Sequence, residues 1–165
     1  MQIVATLCEK TAGQLLAFAQ WIRNQSNGVA APFAFDPTFV GGRWEVRNPN
    51  RLPSPHWGPA DLRWVPILLR SGEVRITGEE NKNRLAGKTL LGVEAFWRCW
   101  QNRHLIPEEL KDKIIFFDGD EEEVLLSPSG APYSLYLYWI GDEWRWYCRW
   151  LGRGRNADCV SACAS

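Results

Sequence analysis

The sequence has no net charge and no long apolar run. Nineteen Lys and Arg residues balance nineteen Asp and Glu residues, so no global field draws the chain to nucleic acid or to an anionic membrane. The longest apolar runs, such as Ile114 to Phe117, fall far short of the roughly 20 residues that a membrane-spanning helix needs. The composition predicts a soluble globular protein without a membrane partner, in which nucleic-acid binding would require a local patch.

Residues and motifs for catalysis or metal binding are also few. There are two histidines, His56 and His104, and no P-loop, dinucleotide-binding fingerprint or His-Glu-x-x-His segment. The five cysteines are an odd number without a Cys-x-x-Cys pair, which predicts free thiols rather than disulfides or a metal site. The N-terminus has no basic region of the kind that opens a signal peptide. We therefore predict a cytoplasmic protein with no cofactor and no bound metal.

The chain is rich in tryptophan, with ten residues, and it carries a weak internal repeat. At an offset of 78, Ala17-Phe18 aligns with Ala95-Phe96 and Glu45-Val46 with Glu123-Val124, among seven identities over residues 17 to 46. Chance at average composition gives about two. The repeat predicts an α+β fold made of a tandem duplicated unit, in which one helix is followed by an antiparallel strand meander with pseudo-two-fold symmetry. The units are residues 1–78 and 89–152, sharing one compact domain, with a polar tail over residues 153–165.

The last hairpin is the clearest local signal. A two-residue Gly141-Asp142 loop predicts a type II′ turn that places Ile140 opposite Glu143 and fixes the later pairs. Because side chains alternate along a strand, one face carries the tryptophans and is predicted to be core. The other face, which we call the Tyr–Arg face, carries Tyr136, Tyr138, Arg145, Tyr147 and Arg149. A second hairpin, predicted around Ser71-Gly72, places Arg75 on the corresponding face.

Two loops are candidate sites or candidate turns. The segment from residue 47 to residue 61 contains four prolines, and long ordered loops often carry function. Arg51, His56 and Trp57 are its candidate contact residues. The acidic run from Asp118 to Glu123 is interpreted as a solvated turn after a strand.

Three functions remain open from the sequence. Tyrosine rings and guanidinium groups on one face predict a non-enzymatic binding module for a protein or peptide, with an acidic or phosphorylated segment suiting the arginines. The basic and aromatic stretch from Trp144 to Arg155 allows a nucleic-acid-associated protein as an alternative. A small hydrolase using His56 or His104 is the other alternative, and it requires a nucleophile brought to the histidine by folding.

Overall fold

The computed structural model describes residues 44–46, 59, 62–119 and 123–164. All of them belong to the second of the two compact units into which the chain divides, Ala34–Ser165. Over these residues the fold combines two α-helices with a mostly antiparallel sheet, which confirms the mixed α and β class. None of the helices described is long and apolar enough to cross a membrane.

A seven-stranded sheet organises this part of the chain. The described residues form nine strands, of which β3 and β8 lie outside this sheet. The strands are β1 (Glu45–Val46), β2 (Leu62–Pro66), β3 (Ile76–Thr77), β4 (Ile114–Phe117), β5 (Leu125–Leu126), β6 (Pro132–Ile140), β7 (Glu143–Trp150), β8 (Gly154–Arg155) and β9 (Cys159–Ala164). Their order in the large sheet is β1, β5, β6, β4, β9, β2, and β7 also pairs with β6. Strands β4 and β9 run parallel, while β3 and β8 form a separate antiparallel pair.

The predicted register of the β6–β7 hairpin is confirmed from Tyr133 opposite Trp150 to Ile140 opposite Glu143. The predicted turn type is wrong. Gly141 has φ 58° and Asp142 has φ 68°, so both loop residues are left-handed, as in a type I′ turn, whereas type II′ needs only the first. Asp tolerates this backbone better than most residues because its short polar side chain can bond locally.

Two helices, α1 (Gly78–Arg84) and α2 (Val93–Gln101), follow one another along the chain between β3 and β4. Helix α1 begins after Thr77, whose hydroxyl accepts a hydrogen bond from the Glu80 N–H at 3.1 Å. Residues 78–88 lie between the two predicted repeat units, and their polar sequence predicts a connection without a helix, whereas the structure forms α1 there. Apolar residues recur at helical spacing over Val93, Phe96, Trp97 and Trp100 and predict a helix from about residue 89. This helix is α2, which starts after Gly92.

Helix α2 packs on the sheet face that carries Leu135 and Leu137, and together they form the main core. Phe96 is fully buried, with its ring centroid 5.5 Å from that of Phe117 and 6.0 Å from that of Trp146. One prediction for this face is wrong, because Trp150 is 45% exposed at the end of β7.

The opposite face of the sheet carries a smaller apolar cluster. Its buried members are Ile67, Ile76, Phe116 and Cys159, and the ring of Tyr136 packs against them. Ile67 and Ile76 come from the segment between β2 and α1, so this segment covers part of the face on which the Tyr–Arg residues lie. The Tyr–Arg face is therefore closed at one end and open at the other.

The predicted hairpin around Ser71-Gly72 is not formed. A turn is present, in which the Glu73 N–H donates to Arg70 O at 3.0 Å. The flanking residues do not pair across it, because Ile76 pairs with Arg155 of β8 instead.

Side chains of α1 explain why this ladder is absent. Asn81 Oδ1 accepts from the Leu68 N–H at 3.4 Å, and Arg84 Nη1 donates to Leu68 O at 2.7 Å. Arg84 also binds the Glu73 carboxylate through two nitrogens, at 2.5 and 2.8 Å. The backbone N–H and C=O of Leu68, in the predicted hairpin, are therefore hydrogen-bonded to helix side chains.

The predicted polar tail is also corrected. Residues 153–164 supply β8 and β9, and β9 lies between β4 and β2 inside the large sheet. Cys159 and Ala162 have no exposed area, because small side chains fit a strand that is covered on both faces. The sequence analysis predicted a tail here because the segment is small and polar, and for that reason it missed this central strand.

The duplicated unit and its pseudo-two-fold symmetry are not confirmed. The helix of the first copy falls outside the described residues, and β2 pairs with β9 where the repeat predicts pairing within its own hairpin. The division into residues 1–78 and 89–152 stays a prediction.

Candidate functional site

The tyrosine rings of the Tyr–Arg face form one cluster on β6 and β7. The ring centroid of Tyr136 lies 5.7 Å from that of Tyr138 and 6.3 Å from that of Tyr147 across the hairpin. Tyr147 is 62% exposed, which is unusual for a large side chain in a strand. The tyrosines thus present an accessible aromatic platform next to the edge of the small apolar cluster.

Of the two hairpin arginines of the predicted site, Arg149 lies over this platform and Arg145 does not. The Arg149 guanidinium carbon lies 5.4 Å from the ring centroid of Tyr136 and 5.8 Å from that of Phe116, within cation–π range. Arg145, nearer the turn, is exposed and binds Glu143 Oε1 through Nε at 2.9 Å and Nη2 at 2.8 Å. An exposed pair of this kind contributes little to stability and exchanges easily for another anion.

Burial raises the pKa of Tyr136, and the charge of Arg149 opposes this shift only in part. The phenol therefore keeps its proton at neutral pH. As a neutral group next to a guanidinium, it supplies an O–H that can donate to an anionic or carbonyl ligand.

Arg75 reaches the same region by a route that the sequence did not predict. It directly precedes β3, whose pairing places Thr77 opposite Gly154 of β8. A Cβ atom at Gly154 would lie 2.7 Å from Arg75 Cδ, so the Arg75 stem rests on this glycine. Arg149 Nη1 donates to Gly154 O at 3.5 Å. The structure therefore brings Arg75 and Arg149 to one residue, although the predicted hairpin that motivated Arg75 is absent.

The other candidate residues are three in the proline-rich loop and His104. Arg51, His56 and Trp57 lie outside the described residues. His104 is exposed on the 3₁₀-helix Arg103–Leu105. Among the residues that the structure describes, no group of three His, Cys, Asp or Glu side chains is arranged to hold a metal ion.

Sequence reasoning missed a buried polar network beneath the Tyr–Arg face. Asp118 follows β4 and is 1% exposed, not a solvated turn residue as predicted. Its carboxylate accepts from Arg155 Nη1 at 2.6 Å and Nη2 at 2.5 Å, a bidentate ion pair. Ser134 Oγ donates to Asp118 at 2.7 Å and Ser161 Oγ donates at 2.9 Å. The network joins the end of β4 to β6, β8 and β9.

Burial alone would raise the pKa of Asp118. The charge of Arg155 and the hydrogen bonds from Arg155, Ser134 and Ser161 outweigh it, and they hold the pKa of Asp118 below its usual range. Asn81 extends the network to α1, because its Nδ2 donates to Ser161 Oγ at 3.0 Å. These oxygens are occupied and buried, so Asp118 and the serines have a structural role here and do not form a hydrolytic site.

A stack of side chains connects the buried network to the Tyr–Arg face. The Arg155 guanidinium carbon lies 3.9 Å above the centroid of the Phe116 ring. The Phe116 ring lies 5.1 Å from that of Tyr136, which in turn faces Arg149. The buried Arg155 guanidinium, the rings of Phe116 and Tyr136, and the half-buried Arg149 guanidinium thus stack in order, so the buried ion pair lies beneath the rings of this part of the face.

One signal in the sequence could have revealed the network. Strand alternation places Ser134 on the Tyr–Arg face, opposite Arg149 and next to Tyr136, and a serine offers no ring to this face. A hydroxyl at this position indicates a polar partner on the same side of the sheet. No spacing rule identifies Asp118 or Arg155 as that partner, because β4 and β8 are brought together only by the tertiary fold.

A groove of about 300 Å³ lies between α1 and the turn that follows β5. Its lining residues are Glu79, Lys82, Asn83, Val124, Leu126, Gly130, Pro132 and Leu151. Neither histidine of the predicted hydrolase, His56 or His104, is among these lining residues.

We compared the chain with protein-family models, with curated proteins and with solved structures, and none of the three comparisons found a match.

Proposed function

We propose that this chain is a binding module that holds a protein or peptide segment on its Tyr–Arg face. The observation that carries the proposal is the clustering of three tyrosine rings with two arginines on one hairpin, where Tyr147 is 62% exposed. Tyrosine and arginine are enriched among residues that dominate binding energy, because both offer a large contact area together with polar groups. A solvated sheet face has no need of such a cluster.

The length of the face suits an extended segment. Arg145 and Arg149 are four residues apart on β7, which corresponds to roughly 13 Å along a strand. Tyr147 lies between them and points to the same side. An extended chain placed along β7 would meet a cation, a ring and a second cation in turn, so an acidic or phosphorylated segment is the favoured partner.

The arrangement supports a nucleic-acid partner less well. Of the rings in the basic and aromatic stretch, Trp144 is buried and Trp146 faces the core on the side of the hairpin opposite the arginines. Of these and Tyr147, therefore, Tyr147 alone can stack a base beside the arginines.

The cytoplasm is the location that we propose. Cys99, Cys148, Cys159 and Cys163 are all free thiols, as expected in a reducing compartment.

Site-specific photo-crosslinking in the native host tests the proposal. We would replace Tyr147 by p-benzoylphenylalanine, and use the same replacement of Leu105, which is 55% exposed away from the face, as the matched control. We expect a discrete protein adduct from position 147 that is absent from position 105. The adduct should disappear when Arg145→Glu and Arg149→Glu are added.

Equal crosslinking from both positions would show that the face is not a specific surface. An adduct from position 147 that a nuclease removes would instead establish the nucleic-acid alternative.

A further inference from the structure

The cations of the Tyr–Arg face differ in how far they are neutralised. Arg145 already has Glu143 as its ion-pair partner. Arg149 makes a long hydrogen bond of 3.5 Å to Gly154 O and a hydrogen bond to the Tyr136 hydroxyl, both neutral partners, and Arg75 is exposed with its stem on the same glycine. Among the described residues neither Arg75 nor Arg149 forms an ion pair with a carboxylate. Two uncompensated positive charges therefore lie beside one backbone position.

Their convergence depends on the small β3–β8 sheet. Thr77 pairs with Gly154, and this pairing carries Arg75 from the end of the segment that follows β2 to the edge of the hairpin. The glycine at position 154 leaves room for the Arg75 side chain in this position, because a Cβ there would lie 2.7 Å from Arg75 Cδ. Two guanidinium groups whose side chains reach the same residue match an anion that can accept hydrogen bonds from both.

A phosphomonoester matches this pair better than a carboxylate does. At neutral pH it carries between one and a half and two negative charges and three strong acceptor oxygens, roughly twice the charge of a carboxylate. Arginine is suited to it because the planar guanidinium donates two parallel hydrogen bonds. The protonated Tyr136 hydroxyl, beside Arg149, offers a further donor, and the tyrosine rings offer flat surfaces to the group that bears the phosphate.

We infer that the partner segment is phosphorylated and that its phosphoryl group is held between Arg75 and Arg149. This inference rests on the proposed function, since it specifies the chemistry of the segment that the Tyr–Arg face binds. In this arrangement the phosphate selects the segment, while Tyr147 and Arg145 contact the residues that continue toward the turn.

A titration of the full chain with phenyl phosphate tests the inference. The arginine Nε–Hε resonances would be followed by NMR, with phenol, benzoate and adenosine monophosphate as comparison ligands. We expect phenyl phosphate to shift the Arg75 and Arg149 resonances and to bind more tightly than benzoate. Arg75→Gln combined with Arg149→Gln should weaken binding by roughly tenfold or more, the effect of losing about 1.4 kcal/mol. The matched control, Arg63→Gln combined with Arg103→Gln, should bind as the wild type does.

Several results would overturn the inference. These are no shift at Arg75 and Arg149, equal shifts at Arg63 and Arg103, and equal affinity for benzoate. Tighter binding of adenosine monophosphate than of phenyl phosphate at the same arginines would replace the phosphorylated segment by a nucleotide. A specific protein adduct at position 147 combined with a failed titration would support binding on the Tyr–Arg face and reject only the phosphate site.

Discussion

At the residue scale, Arg155 and Asp118 are the side chains on which the inner layer of the Tyr–Arg face depends. Both are at most 1% exposed, and their bidentate pair is completed by two serine hydroxyls. A buried pair with full hydrogen bonding offsets much of its desolvation cost, whereas a single buried charge does not. The loss of either partner therefore affects the fold more than the loss of an exposed ion pair.

We predict that Asp118→Asn lowers the free energy of unfolding by about 3 kcal/mol or more, because it leaves the Arg155 charge buried without a counter-ion. Urea denaturation at pH 7 measures this. The control, Asp112→Asn, changes an exposed carboxylate beside Lys113 and should alter stability by about 0.5 kcal/mol at most. Asp118→Leu combined with Arg155→Met should cost less than Asp118→Asn alone. Equal losses for Asp118→Asn and Asp112→Asn would contradict the structural role.

The lowered pKa of Asp118 also predicts a pH dependence. Because its pKa is lower in the folded than in the unfolded chain, its stabilising contribution is complete above about pH 4 and is lost as pH falls through the folded value. The stability difference between the wild type and Asp118→Asn should therefore be largest near neutral pH and shrink in acid. Urea midpoints from pH 7 to pH 2 measure it. A constant difference over this range would assign the effect of the substitution to packing.

At the scale of elements, the β6–β7 hairpin is the most autonomous part of the site. Its register follows from a two-residue loop and from strand alternation, which are local properties, and for that reason the sequence predicts all its pairs correctly. Only the turn type differs, because Asp142 adopts the positive φ of 68° that a type I′ turn requires.

We predict that Asp142→Gly stabilises the protein by about 0.5–1 kcal/mol, because glycine adopts the left-handed backbone without a steric cost. Asp142→Val should destabilise it, since a β-branched residue is strained at positive φ. Thermal melts of both variants give the comparison. If Asp142→Gly lowers the melting temperature, the turn is not of type I′ in solution.

Other elements could not be predicted because their partners are distant in sequence. Strand β9 is a polar and small-residue segment whose place between β4 and β2 depends on residues about 45 and 97 positions away. Ser71-Gly72 has a hairpin composition, but α1 satisfies the flanking backbone groups through Asn81 and Arg84. Long-range competition of this kind leaves no periodicity in the chain.

At the scale of the whole molecule, the described part of the chain uses the two faces of one sheet differently. One face is closed by α2 over the main core, while the other carries the small cluster, the buried ion pair and then the exposed tyrosines and arginines. The sequence predicts which hairpin residues share the second face. It does not predict that this face is closed at one end, since the covering segment is held there by tertiary contacts.

The affinity of the partner segment, once crosslinking has identified it, tests the central claim most directly. Calorimetry would compare the wild type with Arg145→Glu plus Arg149→Glu, and with Arg63→Glu plus Arg103→Glu as the charge-matched control. We predict a loss of roughly hundredfold or more for the first pair, because each reversal replaces a charge-assisted contact by repulsion, and no change for the control. If Arg149→Glu impairs folding, Arg149→Gln takes its place, because it keeps much of the contact with Tyr136. We expect it to lose affinity too, but by a smaller factor. Wild-type affinity in the first pair, or the same loss in both pairs, would contradict the account.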